Sequence, residues 1–535
     1  MSETRALDNA GIARAALLTL FGFLASGVLG FIRTAVISAQ FGTGDALDAF
    51  YAAQRLPEFI FVLVAGGALG SSFIPIYAKK REESSAEAWQ LASAVMTLAA
   101  LAAACLGALI ALFAPFLVEN ILLTDSSPAI QSLTADMMRI MMLTPFIFSI
   151  SGLIMGILQS HGLFLLPSVA ISMNNIGLMI GALLIAPLLA SVDYTALDAL
   201  RESGTVLHEV GQSRLPVEQV GINNIYGLAI GAVLSAILHL VVQLPGLRTL
   251  KAKLRPLPNP SIPGVKRVLA LMLPRVLGLA VVQINFVVNI VLTDGMIAGS
   301  LVALNTAFTL MFFALGIIAQ SVGSAVFPTL AALHAENNMD GFKERLASAI
   351  RSVLFLSFPA MIAFIVLGEP IVSIFERGNW TSESTQATAW ALGFYALGIA
   401  GFALLEIFSR AFYALEDTWT PVLAGLFAMI SNIVFSLLLI NIIGDPETLA
   451  RGAFAGLALA NAATTLIEAL VLWYLMRRRI GKIGSIVGIY DSLILRSAAK
   501  ALIAALIMGA VLFLLDILLP IEGLLLAIIG AAIGG

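Results

Sequence analysis

The stretch LGFIRTAVISAQFGTGDALDAFYAAQRLPEF, Leu29–Phe59, joins two long apolar segments of the chain. It contains the end of an apolar run at about 12–41 and the start of another at about 46–78, separated by the short sequence G-T-G. Each run exceeds the roughly 20 residues that a helix needs to cross a bilayer. The stretch therefore predicts two membrane-spanning helices joined by a tight turn.

The composition of the whole chain extends this interpretation. Of 535 residues, 60% are hydrophobic and 11% are charged, and the mean hydropathy is +0.99. Soluble domains carry about 25% charged residues, so most of this chain has no face suited to water. The single cysteine, Cys105, excludes an internal disulfide and a multi-cysteine metal site.

Apolar runs separated by polar breaks predict about fourteen transmembrane helices and an all-α membrane protein. The candidate spans lie at about 12–41, 46–78, 87–119, 130–159, 164–191, 221–246, 264–293, 297–331, 346–375, 385–412, 420–443, 450–476, 492–516 and 518–535. Together they occupy nearly the whole chain, which leaves no room for a soluble domain.

The two halves of the chain repeat each other at an offset of about 254 residues. GSSFIP at Gly70–Pro75 matches GSAVFP at Gly323–Pro328, and Pro167 in LLPSVA matches Pro421 in WTPVLA. The repeat predicts two pseudo-symmetric six-helix lobes plus two C-terminal helices, an arrangement that in transporters places the substrate at the interface of the repeats. The predicted parts are an N-terminal lobe at 1–247, a basic cytoplasmic linker at 248–263, a C-terminal lobe at 264–480 and two additional helices at 481–535.

Basic residues predict the orientation. With the N-terminus in the cytoplasm, about 21 of the 29 Lys and Arg residues fall on cytoplasmic connections and about five on the other side. The N-terminus lacks the pattern of a cleaved signal peptide, so we expect it to form a retained first helix. The sequence predicts a multi-pass protein of the cytoplasmic (inner) membrane.

Several polar residues lie within predicted spans, where a charge costs about 3 kcal/mol and usually marks a functional site. Asp48 and Arg55 are seven residues apart, which places them on one face of span 2 about 10 Å apart. Arginine pairs bidentately with phosphate, so the set predicts a cavity that binds an anion. The candidate substrate-binding residues are Arg33, Asp48, Arg55, Arg275, Gln283, Asn285, Asn289 and Asn305.

Structural roles are the alternative for some of these residues. The spacing of Arg55 and Glu58 allows an ion pair within the helix, and Asp48 lies near enough to the start of span 2 to cap it. Glu406 and Arg410, four residues apart in span 10, are interpreted as a structural pair.

The block at Leu29–Phe59, followed by GGALGSSFIPIYA, resembles the signature of the MurJ (MviN) flippases of the multidrug/oligosaccharidyl-lipid/polysaccharide superfamily. IFERGNWT near Ile374 and VVQINFVVN in span 7 are also similar to that family. The resemblance implies two six-helix lobes, two extra helices and transport of lipid II, the undecaprenyl-pyrophosphate peptidoglycan precursor used in cell-wall biogenesis and cell shape. Arg33 matches the arginine of the family's G-F-x-R-D motif, and Asp48 matches the aspartate of its D-A-F motif.

The chain departs from the family pattern at several charged positions. Thr34 stands where the family has an aspartate, Gly27 where it has a second arginine, and Asn289 where it often has an acid. Phe61 and Val62 replace a basic pair, and the arginine usual in span 8 falls near Thr309. These differences affect the expected pyrophosphate contacts.

Three classes of function fit a polytopic helical protein. The first is a lipid II flippase that works by alternating access. The second is a related exporter: a flippase for another polysaccharide lipid, or a multidrug or cation antiporter, although the first lobe has few mid-span acids beyond Asp48. The third is a membrane enzyme. The external loops of this chain contain no obvious acid/base constellation beyond His208, which argues against that class. No G-x-x-x-x-G-K-[ST] loop is present. We expect a non-enzymatic monomer without cofactor or metal, whose partners are lipid II and membrane lipids and not nucleic acid.

Overall fold

The computed structural model describes residues 9–64, 68–190, 224–481 and 490–518. The chain divides into two compact units, Met1–Gln283 and Ile284–Gly535. Across these described ranges the regular structure is helical, and the one isolated bridge joins Asp445 and Gly452. The all-α class predicted from the sequence is confirmed.

The helices of the first part of the chain, up to the helix that crosses the boundary between the units, are numbered in chain order. They are α1 (Asn9–Phe41), α2 (Asp45–Val64), α3 (Ala68–Glu83), α4 (Ser85–Leu112), α5 (Ala114–Leu117), α6 (Pro128–Met141), α7 (Leu143–Ser160), α8 (Leu165–Ile180), α9 (Ala186–Ala190), α10 (Tyr226–Val241), α11 (Leu244–Thr249) and α12 (Val265–Thr293). Single π-helical turns at Val118–Leu122 and Gly181–Ile185 follow α5 and α8.

The remaining helices belong to the second unit and continue the numbering. They are α13 (Ser300–Leu315), α14 (Ser321–Ala335), α15 (Met339–Val366), α16 (Gly368–Val372), α17 (Ser382–Ala396), α18 (Ile399–Ala414), α19 (Trp419–Leu439), α20 (Ala455–Ile480) and α21 (Tyr490–Leu518). A π-helical turn at Gly316–Gln320 joins α13 to α14, and a 3-10 turn at Ser373–Phe375 follows α16.

Helices lie where the sequence predicts spans. Each of the first thirteen candidate spans coincides with one helix or a consecutive pair, and the fourteenth, at 518–535, lies almost wholly outside the described residues. Within the described ranges, nine helical segments are long and apolar enough to cross a bilayer, and the pair α17–α18, bent by 47°, makes a tenth. A multi-pass membrane protein is thereby established, and the count of fourteen stays a prediction.

The internal repeat is visible in the starts of the helices. α4 and α15 begin 254 residues apart, at Ser85 and Met339, and both are capped by a polar side chain at the preceding residue. Ser84 accepts a hydrogen bond from the Glu87 N–H, and Asn338 accepts one from the Gly341 N–H. Such caps satisfy backbone donors that a helix leaves unpaired at its start.

The same offset recurs further along the two copies. α6 and α17 begin after the caps Ser127 and Thr381, again 254 residues apart. Because helix ends are set locally by capping residues, their matched positions indicate two copies of one helical frame. This agreement supports the six-helix repeat predicted from the sequence.

Large apolar side chains are buried in the cores of the units and also exposed on the surfaces of the helices. Phe73, Tyr77 and Leu91 are fully buried in the core of the first unit. On α4, by contrast, Leu109 and Leu112 are more than half exposed. Exposed leucine is expected where the solvent is hydrocarbon, because burial against protein then gives no hydrophobic gain.

The boundary between the two compact units falls inside α12, between Gln283 and Ile284, and not in the linker at 248–263. The reason is packing: Val265, Val268 and Met272 at the start of α12 are buried in the core formed by α3, α4 and α7. The lobe bounds of 1–247 and 264–480 follow the repeat and stay a prediction.

Candidate functional site: a charged cluster on α1 and α2

The turn between α1 and α2 sets the position of the charged residues. Gly42 has a φ of +65°, a left-handed conformation that favours glycine, and its N–H donates to the Ser38 carbonyl at 2.8 Å. The chain then reverses and α2 begins at Asp45. Acidic residues in this first turn, Asp45 and Asp48, interact favourably with the positive end of the helix dipole.

This reversal brings two arginines to similar depth. Arg33 lies eight residues before the end of α1 and Arg55 ten residues after the start of α2. At 1.5 Å per residue, these separations correspond to about 12 and 15 Å from the turn. Both side chains are partly buried.

Tyr51 is a neighbour of the charged residues on both helices. Its phenol is within electrostatic range of Arg33, Asp48, Arg55 and Glu58. The four α2 residues of this set follow the spacing i, i+3, i+7 and i+10, which is one face of a helix. Asp48 and Arg55 thus lie on one face of α2, as their spacing predicts, and Tyr51 is near both of them and near Arg33. The sequence alone does not identify Tyr51 or Gln54, because neither residue is charged and neither stands out in an apolar helix.

Arg55 forms an ion pair with Glu58. Its Nη1 lies 2.9 Å from Glu58 Oε2, and Gln54 Nε2 donates to Glu58 Oε1 at 2.6 Å. Both carboxylate oxygens of Glu58 are thus engaged within one turn of α2. The pairing that the sequence left as an alternative is present, so the charge of Arg55 is largely offset.

Arg33 differs from Arg55 in its surroundings. Among the described residues, no side chain forms an ion pair or hydrogen bond with the Arg33 guanidinium. Thr34, which replaces the expected aspartate, is buried and donates instead to the Gly30 carbonyl of its own helix at 3.0 Å. Because Thr34 stands where the family has an aspartate, Arg33 has no acidic residue next to it in the chain.

The candidates of span 7 lie on α12. Arg275 is helical, and its side chain lies outside the described part of the structure. The side-chain oxygens of Gln283 and Asn285 are buried, and no described group donates to them. Asn289 is 6% exposed, and its backbone carbonyl accepts a hydrogen bond from Thr293 Oγ1 at 2.8 Å.

Asn305 of span 8 lies on α13 and bonds to its own helix. Its side-chain Nδ2 donates a hydrogen bond to the Leu301 carbonyl at 3.1 Å. Its backbone carbonyl accepts a hydrogen bond from Thr309 Oγ1 at 2.8 Å. The amides from spans 7 and 8 are neutral hydrogen-bonding groups. Of the candidate residues with described side chains, the charged ones are therefore those on α1 and α2.

No group of three or more His, Cys, Asp or Glu side chains suited to a metal ion occurs among the described residues. The α1–α2 cluster is instead suited to an anion. A partly buried guanidinium with free donors can form two parallel hydrogen bonds to phosphate.

Solved structures with the same architecture are transporters. A lipid II flippase MurJ in an inward closed conformation superposes with a TM-score of 0.73 at 23% identity, over 97% of this chain and 98% of that one. An inward-facing multidrug resistance MATE family transporter of the MOP superfamily gives a TM-score of 0.66 at 14% identity, over 85% of this chain and 94% of that one. The fold is thus that of a polytopic helical transporter.

Sequence comparison narrows this class to one family. The model of the lipid II flippase MurJ family matches residues 37–529, and the chain belongs to that family. The lipid II flippase MurJ of Burkholderia cenocepacia is 28% identical over 474 residues, covering 87% of this chain and 84% of that protein. The probable lipid II flippase MurJ of Rhizobium meliloti is 29% identical over 503 residues, covering 92% and 84%. The resemblance inferred from Leu29–Phe59 is confirmed.

Proposed function

We propose that this protein carries lipid II from the cytoplasmic to the outer leaflet of the cytoplasmic membrane by alternating access. Membership of the lipid II flippase family supports the substrate. The apolar helices support a multi-pass location in the membrane. The chain is then a transporter and not a catalyst of bond formation.

The observation that carries the proposal is the unpaired guanidinium of Arg33. A charge within a span costs about 3 kcal/mol when nothing compensates it. The pyrophosphate of a lipid-linked precursor would supply the missing counter-charge. A charge-assisted hydrogen bond of this kind contributes about 1.5–3 kcal/mol.

The other members of the cluster adjust the affinity. Arg33 and Arg55 carry two positive charges, and Asp48 and Glu58 carry two negative ones, so the cluster has no net charge when all four are ionised. The carboxylates repel an anion and limit how tightly it binds. A transporter benefits from this balance, because the substrate must also leave.

Arg55 and Tyr51 provide further donors. In the proposed complex a pyrophosphate competes with Glu58 for the Arg55 guanidinium, and the Tyr51 hydroxyl donates to a phosphate oxygen. Arg275 is proposed as the third arginine that contacts the pyrophosphate. Gln283, Asn285, Asn289 and Asn305 are proposed contacts for the polar sugar and peptide, because each carries an amide that both donates and accepts.

The orientation is part of the proposal. The basic residues favour a cytoplasmic N-terminus in the inner membrane, and the chain is proposed to act as a monomer. In a membrane-impermeant thiol assay, a cysteine at Ser203 is expected to react from outside and one at Ser261 from inside. Reaction of both from one side contradicts the topology.

Complementation tests the function itself. Expression of this chain in a bacterium depleted of its lipid II flippase is expected to restore growth and cell shape. Restoration should depend on the charged cluster, which separates transport from a general effect of overexpression. A protein that is expressed and inserted but does not restore growth would overturn the proposal.

A further inference from the structure

The linker between α11 and α12 lies along α4. We call its residues Leu250–Ile262 the strap. The Arg255 N–H donates to Ser93 Oγ at 3.2 Å, and the Leu257 N–H donates to Thr97 Oγ1 at 2.9 Å. Ser93 and Thr97 are four residues apart on α4, so they lie one above the other on the same face. The strap is therefore attached at a defined height on a membrane-spanning helix.

The strap has two different faces. Ala252, Leu254 and Leu257 pack against the core formed by α3, α4 and α7. Between them, Lys253 and Arg255 are exposed. Successive residues of an extended chain point to opposite sides, which separates the apolar face from the basic one.

The length of α4 places the strap at the membrane surface. α4 has 28 residues, which correspond to about 42 Å, whereas the hydrocarbon core is about 30 Å thick. The excess lies at the polar start of the helix, Ser85–Gln90, since the other end is apolar throughout. Ser93 is eight residues from that start, or about 12 Å. Ser93 is therefore level with the boundary between headgroups and hydrocarbon, and Thr97 lies about 6 Å further in.

Prolines suit the strap to this depth. Pro256, Pro258 and Pro260 are exposed, and proline has no backbone N–H. An exposed irregular backbone near hydrocarbon is costly when its donors lack partners. Here the donors of Arg255 and Leu257 are satisfied by α4, and the prolines between and after them have none to satisfy.

The charge of this segment is entirely positive. Residues 248–267 contain six basic side chains and no acidic one. All six are exposed, and none forms an ion pair with a described residue. The six are Arg248, Lys251, Lys253, Arg255, Lys266 and Arg267.

We propose that the basic face of the strap binds the phosphodiester headgroups of anionic phospholipids in the cytoplasmic leaflet. Lys253 and Arg255 lie two residues apart on the outer face, about 7 Å from each other, and Lys251, whose φ is +49°, lies just before them in the turn that ends α11. Their aliphatic stems lie against the apolar boundary, and their charged ends reach the phosphates. The inference uses the cytoplasmic orientation proposed above, and its test does not depend on transport.

Native mass spectrometry of the purified full-length protein measures this binding directly. Phosphatidylglycerol and phosphatidylcholine are titrated in turn, and the retained lipid is counted. Each basic residue near an anionic surface contributes roughly a fivefold preference. Lys251→Gln/Lys253→Gln/Arg255→Gln is therefore expected to weaken phosphatidylglycerol retention at least about tenfold, with no change for phosphatidylcholine.

Two further variants test whether lipid retention depends on the strap itself or on any exposed basic residue. Lys79→Gln/Arg345→Gln/Arg351→Gln removes three other exposed basic side chains, which lie on two separate helices, α3 and α15, and is expected to weaken phosphatidylglycerol retention clearly less than the strap variant does. Ser93→Ala/Thr97→Val keeps every charge but removes both attachment hydroxyls, and is expected to weaken retention about threefold. Equal losses in the two charge variants, or no loss in the strap variant, would overturn the proposal. Wild-type retention by Ser93→Ala/Thr97→Val would overturn the role of the attachment.

Discussion

The two copies of the repeat share a helical frame but differ in charge. α2 carries Asp45, Asp48, Arg55 and Glu58, whereas the corresponding segment of the second unit, residues 300–320, carries no charged residue. The following helices, α3 and α14, contain the matched sequences GSSFIP and GSAVFP, so the two segments occupy the same place in the repeat. The comparison indicates that the charged cluster belongs to one copy, while the frame belongs to both.

Two charged residues within one helix of the second unit, Glu406 and Arg410, pair with each other. Arg410 Nη2 lies 2.6 Å from Glu406 Oε1 and donates to Gln320 Oε1 at 2.7 Å. Gly323 makes room for this arginine, because a Cβ there would lie 2.8 Å from Arg410 Nη1. The Arg410 guanidinium thereby holds α18 against the π-helical turn and α14. The structural pairing of Glu406 and Arg410 expected from their spacing is present.

The largest effect is expected at Arg33. Arg33→Ala removes the unpaired cation, so we expect it to abolish rescue of a flippase-depleted strain while the protein still inserts. Immunoblotting of membranes provides the control for insertion. Normal growth of the variant strain would remove Arg33 from the site.

Arg410→Ala is expected to have the opposite profile. It leaves the partly buried Glu406 without its partner, which costs on the order of 1–3 kcal/mol of folding free energy. Thermal unfolding in detergent should show a lowered Tm, with lipid II binding per folded molecule unchanged. A selective loss of binding would place charge recognition in both copies.

Glu58→Gln sharpens the contrast between paired and unpaired arginines. The variant removes the negative charge that offsets Arg55, so Arg55 becomes available to an anion. We expect Arg33→Ala/Glu58→Gln to regain part of the binding lost in Arg33→Ala, by about threefold. The measurement is lipid II affinity of purified protein, and identical affinities of the two variants would contradict this role for Glu58.

The smallest effect is expected at Asp417, in the connection between α18 and α19, which pairs with Arg479. Burial alone would raise the pKa of this carboxyl, but hydrogen bonds from Thr420 and the charge of Arg479 outweigh it and hold the pKa below its ordinary value of 3.8. A lowered folded-state pKa stabilises the protein above pH 3.8, and this stabilisation is lost as the pH falls through the folded-state value.

Asp417→Asn should therefore lower the free energy of unfolding at pH 7 by on the order of 0.5 kcal/mol. The difference from wild type should narrow as the pH approaches 3.8 and below. Denaturant unfolding across this pH range measures it. A difference that is constant with pH would show that the carboxylate charge is not involved.

Much of the frame could be predicted from the sequence because its signals are local. Apolar length predicts helices such as α4 and α15, and capping residues such as Ser84 and Asn338 fix where they start. The convergence of Asp48 and Arg55 also follows from spacing alone, since seven residues return a helix to the same face.

The residue with which Arg55 pairs could not be predicted from the sequence. Arg55 lies three residues from Glu58 and seven from Asp48, and both spacings allow an interaction on one helix face. The strap shows the same limit on a larger scale. Its sequence indicates a basic linker, but its attachment to Ser93 and Thr97 depends on a neighbouring helix more than 150 residues earlier in the chain.

Equilibrium binding of lipid II to purified protein tests most directly whether recognition of the anion is confined to the first copy. Wild type, Arg33→Ala, Arg33→Lys and Arg410→Ala are compared in the same detergent. We predict at least about tenfold weaker binding for Arg33→Ala, partial recovery for Arg33→Lys because an ammonium keeps the charge but loses the planar fork, and wild-type affinity for Arg410→Ala. Unchanged affinity of folded Arg33→Ala, or an equal loss in Arg410→Ala, would contradict the assignment of anion binding to α1 and α2.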